Sequence, residues 1–299
     1  MGCTLCPRAC KVNRSEKSGY CSAGEDLLVG SVVIHRGEEP PLVQGAGSGA
    51  IFFSGCPLKC SYCQNMQISH HATGHTLSAS ELASYMKRLQ DLGCSNINLV
   101  TPTHYTYEIL DALDRAHDLG LSLPVIINSS GYEAVSTLEL WKDHADIYLM
   151  DLKYGDNPTG SILSNVGDYW DVARQSIAYI FESAGVLRMD QEGRGVAGLV
   201  VRHLVLPGML SNPFAVLDFL SGLSVEIPVS IMSQYNPDPY RGDINDMKRP
   251  LVKDEYETVL ERALELGFST IFKQDMDACR MYVPDFKATD PFGDEPNLL

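Results

Sequence analysis

Seven short apolar runs, each ending in polar residues and most followed by a helix-like stretch, constrain this chain more than any other feature. They lie at 50–54, 96–100, 125–127, 147–150, 198–206, 229–232 and 270–272. Helical periodicity fills the gaps, around 78–93, 105–119, 132–143, 169–184, 212–222 and 253–266. Ser78 and Glu81 have capping-box spacing, and Gly93 and Gly120 supply the stops. Runs that are apolar throughout suit strands of a parallel sheet covered by helices. The alternation predicts a βα barrel or a partial one.

Barrel is favoured over flat sheet by what stands at the C-terminal ends of the runs, where barrels assemble their sites. The first run delivers Cys56, Cys60 and Cys63, and the second Thr101, Thr103 and His104. Asn128 and Ser129 follow the third, Asp151 and Lys153 the fourth, and Arg202 lies within the fifth. Ser233, Gln234 and Tyr235 follow the sixth, Lys273 and Gln274 the seventh. Asp151 and Lys153 are two apart, so an extended backbone places both side chains on one face.

Cys56, Cys60 and Cys63 form a C-x3-C-x2-C loop, and thiolates are the ligands that iron–sulfur clusters and zinc favour. Three thiolates on a cubane leave one iron open. A zinc knuckle completed by a distant cysteine or by His70, His71 or His75 has the same local pattern. A second group, Cys3, Cys6, Cys10 and Cys21, has enough thiols to close a tetrahedral zinc site or to hold a further iron–sulfur cluster. Residues 1–49 therefore read as a metal knuckle plus an entry arm, 50–275 as the barrel and 276–299 as a tail. The glycines between 45 and 49 lead into a strand with no Lys-Ser/Thr pair, so they read as a flexible entry loop and not a phosphate cradle.

The formal net charge of −15 argues against a grip on nucleic acid, which needs a basic surface. No apolar run approaches a membrane span, no signal peptide opens the chain, and the nine cysteines do not resemble a secreted disulfide framework. The expectation is a cytoplasmic protein with neither a nucleic-acid nor a membrane partner.

The cysteine loop with Tyr62 before its last thiol resembles the signature of the radical S-adenosylmethionine superfamily. The stretches SGAIFFSGCPLKCSYCQN, NINLVTPTHYTYE, NSSGYE, DIYLMDLKYGD and VRHLVLPG extend the resemblance to the pyruvate formate-lyase activating enzyme-like proteins, from Cys3 to about Phe272. The resemblance implies a partial (β/α)6 barrel in which Cys56, Cys60 and Cys63 hold a 4Fe–4S cluster whose open iron chelates S-adenosylmethionine. It implies Tyr62 near the adenine through its backbone, Asn128 and Ser129 near the ribose and carboxylate, and Asp151 and Lys153 lining the cofactor site. Arg202 matches a basic position suited to a carboxylate in two-point geometry. One departure stands out: the Gly-Gly-Glu stretch that receives the cofactor's amino group is absent. Thr101 to His104 stand there, with threonine hydroxyls or carbonyls as the acceptors. His104 reads either as a proton shuttle or as a structural histidine bonded to a carbonyl.

The implied activity is reductive cleavage of S-adenosylmethionine to a 5′-deoxyadenosyl radical that abstracts hydrogen. An electron donor such as flavodoxin or ferredoxin is implied with it. In the wider family the substrate is a glycine of a glycyl-radical enzyme. Two other readings stand beside that one: radical modification of a peptide or small metabolite, and a metal-binding redox relay without catalysis.

Overall fold

The structure, a computed structural model, describes residues 2–281, 283–293 and 296–299. After a segment with no helix or strand, β1 (Leu27–His35) pairs antiparallel with β2 (Ser48–Phe53). A short helix α1 (Met66–Ser69) and strand β3 (His75–Leu77) follow, with β3 antiparallel to the outer edge of β1. The parallel part then builds outward from β2. β4 (Ile97–Val100), β5 (Val125–Ser129) and β6 (Ile147–Asp151) are joined by α2 (Ala79–Asp91), α3 (Thr106–Asp118) and α4 (Val135–Trp141). Two helices, α5 (Asn157–Ser164) and α6 (Tyr169–Ala184), lead through a small strand β7 (Arg188–Met189) into β8 (Gly195–Leu204). α7 (Pro213–Leu223), β9 (Val229–Met232), α8 (Lys253–Glu265), β10 (Ile271–Lys273) and α9 (Ala278–Met281) complete the chain.

Strand order is β10-β9-β8-β6-β5-β4-β2-β1-β3, with every neighbour from β2 to β10 parallel. This is the partial barrel, with β10 as a seventh parallel strand beside the six the resemblance implies. The reason is in the side chains. All six residues of β2 are buried, and the helices turn one apolar stripe inward, as with Leu82, Ala83, Met86 and Leu89 of α2. The Ser78 hydroxyl accepts from the Glu81 N–H at 3.2 Å and the Glu81 carboxylate accepts from the Ser78 N–H at 2.8 Å, so the capping box starts α2 as its spacing predicts.

The segment between β1 and β2 runs inside the barrel. Leu42 packs with Ile126, Ile147, Leu149 and Val200 in an inner apolar layer. Glu38 and Glu39, a few residues earlier, line the cavity above it. At the far end, the Leu298 N–H donates to the Val32 carbonyl, and Phe286 and Phe292 rest on Phe52. No helix among the described residues is long and apolar enough to cross a membrane.

Candidate active site

A cavity of about 510 Å³ opens at the C-terminal ends of the parallel strands. Cys56, Cys60, Tyr62, Cys63, Thr101, Asn128, Ser129, Asp151, Lys153 and Arg202 all line it. Strand register explains part of this grouping: Val100 pairs with Asn128, and Asp151 with Arg202. None of His70, His71 and His75 lines the cavity, and the last two are exposed.

The cysteine loop is fixed from several sides. Lys59 takes a left-handed φ of 53°, the Ser61 N–H donates to the Leu163 carbonyl at 2.8 Å and the Cys63 N–H to the Cys60 carbonyl at 3.1 Å. The Ser164 hydroxyl donates to the Cys60 sulfur at 2.9 Å, and Ser69 stands 3.3 Å from the Cys63 sulfur. The Tyr62 phenol lies 2.8 Å from that of Tyr154, so its side chain is committed to the core and its backbone is what it offers the cavity. Burial, reinforced by the neighbouring thiols, pushes Cys56 up to about 12 and Cys63 up to about 11. Such thiols ionise when a metal takes the place of the proton.

At the ends of β5 and β6, the buried Tyr169 hydroxyl donates to the Ser130 carbonyl at 2.8 Å and accepts from the Lys153 N–H at 2.7 Å. The Lys153 ammonium donates to Asp151. Burial works against that charge, yet Asp151 and the acidic groups around it hold the lysine well above its ordinary pKa. Thr101 takes a left-handed φ of 59°, and its N–H donates to the Asn128 carbonyl at 2.8 Å. A threonine held there is strained by about 1–3 kcal/mol, which suits a position at a binding site.

Three acidic residues had no role in the sequence reading. Arg202, expected to face a ligand carboxylate, donates through Nε and Nη2 to Glu39 at 2.8 and 2.6 Å, and through Nη2 to Glu38 as well. Asn98 donates to Glu38 at 2.8 Å. The third is Glu133, which is buried and accepts from Ser129 at 2.6 Å and Thr103 at 2.7 Å. Burial raises its carboxyl to about 7, with the two hydroxyls pulling the other way. None of the three stands at the end of an apolar run: Glu38 and Glu39 precede the first barrel strand, and Glu133 sits beyond the end of β5. An arginine within an apolar run is itself a signal that acids must be found for it.

His104 is buried and its Nε2 lies 2.8 Å from the Ser54 carbonyl, with burial lowering the imidazole to about 4. It lines a different, smaller space among the N-terminal cysteines. Its position is that of the structural histidine and not of a proton shuttle in the main cavity.

The radical SAM superfamily model matches residues 50–187. An uncharacterised protein of Methanocaldococcus jannaschii is 32% identical over 280 residues, which cover 90% of this chain and 76% of that protein. The chain belongs to the radical SAM superfamily. The pyruvate formate-lyase-activating enzyme of Clostridium pasteurianum is 31% identical over 134 residues, 42% of this chain and 53% of that enzyme. The crystal structure of a radical SAM methyltransferase from Sphaerobacter thermophilus superposes with a TM-score of 0.51 at 13% identity. That match covers 82% of this chain and 70% of the other, and at such identity it speaks for the fold alone.

Radical SAM proteins use a 4Fe–4S cluster and S-adenosylmethionine, and they need an electron donor and a substrate. The residues present fit that pair. Among the described residues no three Cys, His, Asp or Glu side chains converge on a single ion position. Three loop thiols that share one cavity suit a cluster, where each sulfur binds a different iron.

Proposed function

We propose that Cys56, Cys60 and Cys63 hold the 4Fe–4S cluster and that the cavity beside them binds S-adenosylmethionine. The observation that carries this reading is the gathering of the three thiols, the Asp151–Lys153 pair, Asn128, Ser129 and Thr101 on one cavity wall. When bound there, the cluster and S-adenosylmethionine would supply one-electron reductive cleavage and hydrogen-atom abstraction from the substrate.

The chain's own residues bind, orient and exclude water. The Tyr62 backbone would meet the adenine, since its phenol is held by Tyr154. Asn128 offers its amide to the ribose or carboxylate, while Ser129 is turned toward Glu133 and sets the shape of the loop. The Thr101 carbonyl or hydroxyl accepts from the cofactor's amino group, in place of the absent Gly-Gly-Glu stretch. Asp151 and Lys153 present one charge of each sign to a zwitterionic ligand. Arg202 has given Nε and Nη2 to Glu39, so Nη1 is the edge it offers a ligand carboxylate. Phe52 and Phe292 form an apolar part of the wall that keeps water from a radical.

The likeness to pyruvate formate-lyase-activating enzyme supports a backbone glycine of a partner protein as the hydrogen donor. A second reading, a peptide or small metabolite, is favoured by Phe292, Asn236 and Asp275 on the cavity wall, where tail and loop residues add contacts for a small ligand. Anaerobic reduction with S-adenosylmethionine should yield 5′-deoxyadenosine, and lose it when Cys56, Cys60 or Cys63 becomes alanine. A glycine-centred radical that forms only with a glycyl-radical enzyme from the same host supports activation. Turnover without any protein partner supports the second reading, and no 5′-deoxyadenosine under any condition refutes both.

A further inference from the structure

The N-terminal segment holds four more thiols that the barrel's chemistry leaves unused. Residues 2–26 contain no helix or strand, yet the chain there is tightly wound. The Cys3 N–H donates to the Val12 carbonyl and the Lys11 N–H to the Cys3 carbonyl, both at 2.9 Å, and the Ala9 N–H closes a turn on Cys6. Ala9, Lys11 and Ser22 take left-handed φ values of 40°, 53° and 69°. Each costs about 1–3 kcal/mol unless something holds it. All three lie next to Cys10 or Cys21.

These turns bring Cys3, Cys6, Cys10 and Cys21 to one small space, all as free thiols. A methyl group at Gly19 would touch the sulfurs of both Cys10 and Cys21 at 3.4 Å. The Cys6 sulfur accepts from the Arg8 N–H and the Cys21 sulfur from the Ala23 N–H. Arg8 and Arg14 line the space too, two positive charges beside four thiols. His104 is on the same wall, and its Nδ1 is buried with no hydrogen-bond partner among the described residues.

Spacing chooses between a single ion and a cluster. In a tetrathiolate ion site each sulfur stands about 2.3 Å from the metal, leaving no room for a water-sized sphere at the centre. Here Cys3, Cys6, Cys10 and Cys21 line about 10 Å³ of such room. Thiols spread around a small central space suit a cluster whose four irons each take one sulfur.

The segment is seated on the radical-generating loop. The Cys56 N–H donates to the Cys21 carbonyl at 3.1 Å, and the Lys59 ammonium to the Ser22 hydroxyl at 2.7 Å. Gly55, at φ 87°, admits this approach, since a Cβ there would lie 2.2 Å from the Cys21 carbonyl oxygen.

We propose that Cys3, Cys6, Cys10 and Cys21 hold a second iron–sulfur cluster, fully ligated by thiolate, that relays electrons to the cluster loop. One electron from a low-potential donor of the ferredoxin or flavodoxin class enters on the side of the exposed Cys10 and leaves by Cys21, one hydrogen bond from Cys56. The relay rests on the function proposed above, whereas the cluster itself does not.

The cluster is tested in the full chain carrying Cys56→Ala, Cys60→Ala and Cys63→Ala, reconstituted anaerobically with iron and sulfide. About four iron and four acid-labile sulfide per chain are expected. The dithionite-reduced paramagnetic resonance signal should not respond to S-adenosylmethionine, and should vanish when Cys6→Ala and Cys21→Ala are added. Zinc without sulfide, or no metal, overturns the proposal. If the triple variant aggregates, the wild-type chain decides: about eight iron per chain supports the second cluster and about four overturns it. For the relay, Cys6→Ala with Cys21→Ala should slow reduction of the S-adenosylmethionine-responsive cluster by flavodoxin about tenfold or more, leaving reduction by dithionite unchanged. Equal rates with flavodoxin overturn the relay. Absence of an S-adenosylmethionine-responsive cluster in the wild-type chain is instead a failure of the proposed function.

Discussion

Arg202 grips Glu39 at two points on the cavity floor, Nε to Oε1 at 2.8 Å and Nη2 to Oε2 at 2.6 Å. Both side chains are almost out of solvent, and burial alone would raise the Glu39 carboxyl. The guanidinium outweighs burial and holds its pKa below the ordinary carboxylate range. Removing one partner leaves a buried charge with less to balance it. Glu39→Ala should therefore cost about 3–5 kcal/mol, read as a lower urea midpoint. Glu39→Gln keeps the shape and an acceptor oxygen, and should cost less. Equal midpoints for wild type and Glu39→Ala would show that Glu38 balances Arg202 unaided.

The Asp151–Lys153 pair is expected to act on the cofactor and not on the cluster. Lys153→Ala should weaken S-adenosylmethionine binding by about 10–100-fold, the equivalent of one lost hydrogen bond to a charged group. The iron content should stay as in wild type. Titration of the cofactor into the reduced protein, followed by its paramagnetic resonance spectrum, measures both.

Glu133 gives a pH dependence whose sign can be fixed. Its carboxyl is raised from 4.5 to about 7, so the folded state favours the protonated form. That stability is complete below the unfolded pKa and is lost as pH rises through about 7. His104 and His203, both lowered to about 4, titrate in the opposite sense: their contribution is lost as pH falls from about 6.5 toward 4. They are common to wild type and a Glu133→Gln variant and cancel in the difference. Between pH 5 and 8 the stability difference should shift toward Glu133→Gln by on the order of 2–3 kcal/mol. Parallel denaturation curves at each pH test this, and a pH-independent difference would contradict it.

Two glycines separate backbone strain from close approach. Gly131 has φ 76° and a Cβ there would lie 2.2 Å from the Asp151 carbonyl oxygen, whereas Gly120 has φ 87° and open space. Gly120→Ala should cost about 1 kcal/mol from conformation alone. Gly131→Ala must also move the end of β6, so its melting temperature should fall further and its affinity for S-adenosylmethionine should drop with it. Similar losses of affinity in both variants would mean that the Asp151 backbone tolerates displacement.

Local pattern alone determined the parallel strands and most helices. Apolar runs specify strands covered on their outer face, and caps such as Ser78 with Glu81 act within a few residues. The thiol loop was equally legible because its ligands are close in sequence. α5 escaped notice: it is short and Gly160 lowers its intrinsic helicity, although the Asp156 cap and Pro158 were start signals. α4 begins at Val135 and not near 132, because the preceding turn aims Glu133 at Thr103 and Ser129. Only the tertiary structure decided which charges meet. Glu38 and Glu39 reach Arg202 across more than half of the chain, and Cys21 reaches the Cys56 amide. No periodicity encodes such pairings. They are set by where the barrel brings its strand ends and by the need of each buried polar group for a partner.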